Sequence, residues 1–263
     1  MMAESKITYS APGRCGIVGN PSDMYGGSVI SCSTRERATV TVEKNDVLEI
    51  IVEGATRTCR TLEALRKDGG MFDAVLAAIE YFEIEDAPIR ITVTSQIPMR
   101  AGLSGSTAVM TALTAALLQW IKENDYGPAD RRKKHEAVLK NRYLLAETVR
   151  RIELYFLKII CGYQDAYICT FGSVRFMDFQ DKQHYLPLDR EPLGTMEDLG
   201  GMVPAMPFVL VHTGVQRISG TVHKPVRERW LEGDPTVVKG ALRLAHIARM
   251  AKKPLLLGDW DLL

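Results

Sequence analysis

"IPMRAGLSGSTA", residues 97–108, joins two different periodicities. Upstream, Ile89, Ile91, Val93 and Ile97 share alternate positions, which is the period of a half-buried strand. Downstream, "STAVMTALTAALLQWI" from Ser106 is apolar and rich in helix formers. The small residues between them therefore form a strand-to-helix turn. Gly102, Ser104, Gly105 and Ser106 let the backbone approach a bound group closely, and the first amides of a helix carry partial positive charge with no intrahelical partner. Such a turn suits a phosphate. It also reads as a plain connector with Ser104 or Ser106 as a helix cap. It is not a P-loop, because Ser106 and Thr107 stand where that motif needs a lysine, and no G-x-G-x-x-G occurs here. A charge partner for a phosphate has to come from elsewhere in the chain.

The composition sets the class. With 263 residues, 46% hydrophobic and 25% charged, the chain can bury a sizeable core in one large or two small domains. Thirty-three basic against thirty-two acidic residues leave a net charge of +1, which points to neither nucleic acid nor a membrane surface as partner. The five cysteines (15, 32, 59, 161, 169) and five histidines (135, 184, 212, 223, 246) show no metal-ligand spacing. The cysteines read as buried thiols in a reducing compartment, and the start "MMAESKITYS" has no signal-peptide core, so a cytoplasmic protein is expected.

Along the chain, "VISCS", "ATVTVEK" and "VLEIIVEG" read as strands, the last two as a hairpin around Lys44-Asn45-Asp46. "MFDAVLAAIEYF" has helical spacing, residues 130–160 read as one long helical region with a solvated basic start, and "SVRFMDF" as a strand. Prolines and glycines punctuate residues 187–207, and "FVLVHTGV" from Phe208 then reads as a buried strand opening a second region. Helical patterns follow, and the carboxyl end shows no helix cap.

Two further stretches carry chemistry. In "SAPGRCGIVGNPSDMYGG", residues 10–27, Arg14 and Asp23 stand among residues that favour tight turns. In "RRIELYFLKIICGYQDAYICTFGS", residues 150–173, Glu153 lies late in a helix and Asp165 follows a glycine turn. Taken singly, Glu153 reads as a solvated helix residue and Asp165 as a cap. Together with an arginine and a phosphate turn they are the parts for phosphoryl transfer: oxygen ligands for Mg²⁺, a cation for developing charge, and a carboxylate near the attacking hydroxyl.

These stretches, in this order, resemble the GHMP kinases (galactokinase, homoserine kinase, mevalonate kinase, phosphomevalonate kinase). "APGRCGIVGNPSDMYGG" is similar to the family's first motif, "PMRAGLSGSTA" to its phosphate-cradling second motif, and "IELYFLKIICGYQD" to the segment supplying a magnesium-binding glutamate and a catalytic aspartate. The resemblance implies an α+β, two-domain GHMP kinase fold. Residues 1–190 would form a ribosomal protein S5 domain 2-like ATP-binding domain, and residues 200–263 a ferredoxin-like, incomplete carboxyl-terminal domain. It implies that Pro98, Gly102, Leu103, Ser104, Gly105, Ser106 and Thr107 bind ATP. Ser106 and Glu153 would hold Mg²⁺, while Asp165 and Arg14 would be catalytic.

Gly19, Asp23, Gly26 and Gly27 match the sugar-kinase spacing G-x-x-x-D-x-x-G-G, so Asn20, Asp23, Gly26 and Gly27 would face the sugar. The wording "GNPSDMYGG" with "GLSGS" is most similar to the glucuronokinase-like branch, which phosphorylates the anomeric hydroxyl of a uronic acid. Arg100 or Arg217 would then meet the sugar carboxylate. A heptose-phosphate kinase, a galactose or mevalonate-like kinase, and a truncated, catalytically weak ligand-binding remnant are the alternatives. The departures are Asn20-Pro21 in place of Glu-His, Gly105 in place of a serine, and the absence of the third glycine-rich motif near G-A-G-x-G-G. The expected partners are ATP and a small sugar or sugar acid, in a monomer or homodimer.

Overall fold

The computed structural model describes residues 6–61, 63–98, 100–182, 193–211, 214 and 219–263, with the side chains of 219–224 left aside. A mixed seven-stranded sheet is built around β2 (Ser28–Lys44). β1 (Ile7–Val18) runs antiparallel along it, and Val40 lies between Tyr9 of β1 and Val93 of β5 (Ile89–Ser95). Nearer its start, Ile30 lies between Val18 of β1 and Phe176 of β6 (Val174–Asp178). β3 (Glu49–Val52) pairs parallel with β5 and antiparallel with β4 (Ala55–Thr58), and β7 (Thr195–Asp198) extends the sheet beyond β6.

The expected hairpin of residues 38–52 does not form, because β5 is inserted between its two arms. Ile91 faces Val42 of β2 on one side and Ile50 of β3 on the other, and all three are fully buried. Alternation fixes which face a strand buries but not its neighbour, and β5 is apolar enough to be a central strand. The link is pinned where the Asn45 N–H donates to the Pro88 carbonyl.

Successive residues of β2 serve two cores. Val29 belongs to the large one, with the buried face of α2 (Gly105–Glu123) and with α1 (Asp73–Phe82), α4 (Arg142–Arg151) and α5 (Gln164–Phe171). Ile30 belongs to the smaller one, with Phe176, Leu199, Ala251 and Leu255, the last two on α7 (Pro235–Leu257). The period of two therefore puts helices on both faces of the sheet.

Four other expectations change. The long helical region breaks at Asn141, whose side chain accepts from the amides of Tyr143 and Leu144 and caps α4. α3 (Ala129–Lys140), before the break, buries no residue, so the basic run is a solvated face as expected. "FVLVHTGV" is not a buried strand over its described part: Phe208–Val211 join no ladder, and Val209 is 86% exposed. β7 belongs to the main sheet, so among the described residues the region after 200 contributes α6 (Ser219–Leu231) and α7 and no sheet of its own. α7 does end in a cap, with Gly258 left-handed and its N–H bonded to the Leu255 carbonyl.

Because Ile91 is packed between two strands, Ile91→Ala should cost about 2–5 kcal/mol, read as a lower urea midpoint with an unchanged slope. A loss below about 1 kcal/mol would contradict its central place.

Candidate active site

After β5 the chain plugs the core with Ile97 and turns through three left-handed residues, Arg100, Gly102 and Ser104. α2 then starts at Gly105 with Ser104 in the N-cap position. Ser104 makes no side-chain capping bond, and its hydroxyl is buried without a partner. The connector reading with an ordinary serine cap therefore does not hold. An uncapped helix start beside an orphaned hydroxyl has donors to spare for an anion. Ser106 is exposed on this first turn, Thr107 is buried below it, and Pro98 and Gly102 are exposed at the rim.

Arg14 joins this turn to the rest of the site. It was expected among tight turns, but β1 runs on to Val18 and carries it, with register shifts at Pro12/Arg14 and Gly16/Val18. Gly13 has to be glycine here, since a Cβ would lie 2.8 Å from the Leu103 carbonyl oxygen and from Thr34 Oγ1. That close approach lets the Arg14 N–H donate to the Leu103 carbonyl at 2.9 Å, while Nη1 donates to the Gly102 carbonyl at 3.4 Å. The rest of the guanidinium grips Asp165. Nε donates to Oδ1 at 2.8 Å, and Nη2 donates to the same oxygen. Oδ2 has no protein donor among the described residues, and the Asp165 side chain keeps 26% exposure. Burial lowers the affinity of Arg14 for its proton, but the Asp165 carboxylate outweighs it and holds the guanidinium above its ordinary value.

Asp165 sits in the first turn of α5 rather than capping it, and the residue at the helix start comes from across the fold. Asp23, in a 3-10 turn at Ser22–Tyr25, is 1% exposed. Its Oδ2 accepts the Tyr163 and Gln164 amides at 2.8 and 3.0 Å, and its Oδ1 accepts Gln164 Nε2 at 3.2 Å. This departs from the expectation of a carboxylate open to a sugar, because its oxygens are spent on the start of α5. Burial pushes the Asp23 carboxyl up, against the pull of the Gln164 and Tyr163 amides.

Gln164 is the organiser that the sequence reading missed. Its Nε2 also donates to Asn20 Oδ1 at 2.6 Å, and its Oε1 accepts the Ser31 hydroxyl at 2.9 Å. Gly26 and Gly27 shape the turn that presents Asp23: Gly26 is left-handed, and a Cβ on Gly27 would strike Ser22. The available signal was Gly162 just before Tyr163-Gln164-Asp165, since a Cβ on Gly162 would fall on the Asp23 carboxylate.

Glu153 is not the solvated residue that its position suggested. It lies in a one-turn π-helix, Ile152–Phe156, and is 3% exposed. Its Oε1 accepts Thr107 Oγ1 at 2.8 Å, so the hydroxyl from α2 that reaches it belongs to Thr107 and not to Ser106. Burial pushes the carboxyl up to about 8, against the Thr107 bond and assisted by the nearby Asp165 charge. No cluster of three or more His, Cys, Asp or Glu able to hold a metal occurs among the described residues. One carboxylate with hydroxyls and substrate phosphates is nevertheless a donor set that suits Mg²⁺. Arg100 is exposed on the turn, and Arg217 lies outside the described residues.

Residues 70–173 match the family model described as GHMP kinases N terminal domain. Glucuronokinase 1 of Arabidopsis thaliana is 28% identical over 276 residues, which cover 98% of this chain and 71% of that protein. Galactokinase of Thermotoga petrophila is 26% identical over 191 residues, which cover 70% of this chain but half (50%) of that protein. In structure, a D-glycero-D-manno-heptose 1-phosphate kinase from Bacteriodes thetaiotaomicron superposes with a TM-score of 0.62 at 19% identity, over 96% of this chain and 74% of that one. The fold is that of the GHMP kinases. No helix among the described residues is long and apolar enough to cross a membrane.

The site makes a pH prediction. The folded Glu153 carboxyl, at about 8, lies above its ordinary 4.5, so its neutral form is the one the fold prefers. In metal-free buffer the stability associated with it is fully present below 4.5 and is lost as pH rises through 8. Glu153→Gln should flatten the fall in thermal midpoint over that window, and Mg²⁺ should lessen it in the wild type. Identical slopes for wild type and variant would contradict the buried, raised carboxyl.

Proposed function

We propose that this chain is an ATP-dependent kinase that transfers the γ-phosphoryl group to a hydroxyl of a sugar acid. The observation that carries the reading is the double grip of Arg14, which holds the carbonyls of the phosphate turn with one set of donors and Asp165 Oδ1 with another. A phosphate turn and a carboxylate are thereby fixed at one place, which is the arrangement that phosphoryl transfer needs. The likeness to glucuronokinases and galactokinases supports a sugar hydroxyl as acceptor. Glucuronokinase 1 over nearly the whole chain, with "GNPSDMYGG" and "GLSGS", favours a uronic acid. Residues 1–190 are proposed as the ATP-binding domain, acting in the cytoplasm, a compartment where thiols are reduced unless an oxidant is present.

Each residue then has a task. The amides and hydroxyls of Leu103 to Thr107, with the orphaned Ser104 Oγ among them, would cradle the triphosphate, and Pro98 and Gly102 would form its rim. Glu153, with Ser106 and Thr107, would hold Mg²⁺, which supplies charge neutralisation for the phosphates. The free Oδ2 of Asp165 would accept a hydrogen bond from the sugar hydroxyl and orient it for attack, and take its proton as the phosphoryl group transfers. Arg14 holds that carboxylate in place through Oδ1 and places positive charge where negative charge develops. Asp23 would act through Gln164 by fixing the start of α5, and Asn20, Gly26 and Gly27 would shape the sugar side. Arg100 is the described cation placed near enough to the turn to be tested against the sugar carboxylate.

ADP release from Mg-ATP, measured against uronic acids, heptose phosphates and neutral hexoses, tests the reading. The greatest turnover should come with a uronic acid, and a preference for a heptose phosphate would reassign the acceptor. Asp165→Asn should lower turnover by about 10²–10⁴-fold with ATP affinity nearly unchanged. Near-wild-type turnover would remove Asp165 from the mechanism.

A further inference from the structure

The cysteines were expected to be buried, yet Cys15 and Cys32 are half-exposed and free. They are also direct partners in the antiparallel register of β1 and β2. Opposite residues in such a pair have Cα atoms about 4.5–5.5 Å apart, inside the range that a disulfide bridges. Cys32 stands on the face of Ile30, since Ser31 between these two points the other way to Gln164, and Cys15 is its direct partner on β1. Arg14, next to Cys15, reaches toward Asp165.

Three paired residues, Arg14, Cys15 and Gly16, lie between the two register shifts of β1. This short segment has irregular ladder on both sides. The Cys15 thiol donates to the Gly16 carbonyl at 3.7 Å, and the Cys32 thiol beside it, with the Arg14 guanidinium, pulls Cys15 down to about 6 against the effect of burial, while Cys32 is pushed up.

We propose that Cys15 and Cys32 are a reversible oxidation site, closing to a cross-strand disulfide that displaces Arg14 and slows phosphoryl transfer. With hydrogen peroxide as oxidant, the Cys15 thiolate attacks the O–O bond, leaving a sulfenic acid and hydroxide. The Cys32 sulfur then attacks the sulfenic sulfur, and its proton leaves with the hydroxyl as water. Two thiols are oxidised and one peroxide is reduced.

The cost falls on Arg14. A disulfide needs Cβ atoms about 3.5–4.5 Å apart, closer than the 4.5–5.5 Å typical of opposite residues, so β1 is drawn toward β2 at this segment. Arg14 holds both the Leu103 carbonyl and Asp165, so a shift of its backbone loosens both. The disulfide itself follows from the strand register alone, whereas its effect on turnover rests on the kinase reading above.

The full chain is treated with hydrogen peroxide, and its thiols, mass, peptide map and turnover are followed. It should lose two of its five free thiols and two hydrogens in mass, with a Cys15–Cys32 linked peptide. Turnover should fall by about tenfold or more, since an ångström of misplacement can cost a hundredfold, and dithiothreitol should restore it. Cys15→Ser and Cys32→Ser should each keep the reduced turnover and resist the loss. Five free thiols after treatment, or a cross-link elsewhere, would overturn the site. A Cys15–Cys32 link with unchanged turnover would overturn its effect on Arg14. A chain that phosphorylates no acceptor in either state would sink the kinase reading and the regulatory effect together, with the thiol count still deciding the bond.

Discussion

Everything in the site depends on where Arg14 sits. Its backbone N–H and Nη1 hold the turn before α2 by two carbonyls, and its Nε and Nη2 hold Asp165 by one oxygen. The residue is on β1, which pairs along β2, so the turn and the carboxylate are both referred to the sheet rather than to each other. Gly13 makes this possible by letting β1 run against Leu103 without a side chain between. A charge-assisted pair that is half-buried is also less screened than a surface pair, so it holds geometry as well as charge.

The acids follow one theme, each set by a residue from elsewhere in the chain. Asp165 is oriented by Arg14 of β1, the start of α5 is capped by Asp23 of the 3-10 turn, and Glu153 is reached by Thr107 of α2. Burial pushes the Glu153 carboxyl up and outweighs the pull of the Thr107 hydroxyl and of the Arg150 charge, so a bound cation would favour its ionised form. The π-turn at Ile152–Phe156 is the local device that turns it inward at the end of α4.

The residues that converge on the candidate site were picked out in the sequence by their combination and by their likeness to the GHMP kinase motifs. Taken singly, the turn, Glu153 and Asp165 each have an ordinary structural reading, as connector, solvated helix residue and cap. Asp23 was legible as important but not in its role, because a pattern does not say whether a carboxylate faces a ligand or a backbone amide. Gln164 carries no such signature, and its part appears only when Asn20, Asp23 and Ser31 converge on it. For the fold, element type was readable from periodicity, while strand neighbours were not: β5 entering between β2 and β3 is a tertiary choice that alternation leaves open. The exposed Phe208–Val211 shows the converse, an apolar run with strand chemistry and no partner strand among the described residues.

A crystal structure of the chain with Mg²⁺ and a non-hydrolysable ATP analogue tests the central claim most directly. The account predicts the β- and γ-phosphates against the amides of Leu103 to Thr107, with the γ-phosphate on the side of Arg14 and Asp165. A nucleotide bound with its phosphates away from that turn, or with Asp165 on the far side of the sheet from them, would contradict it.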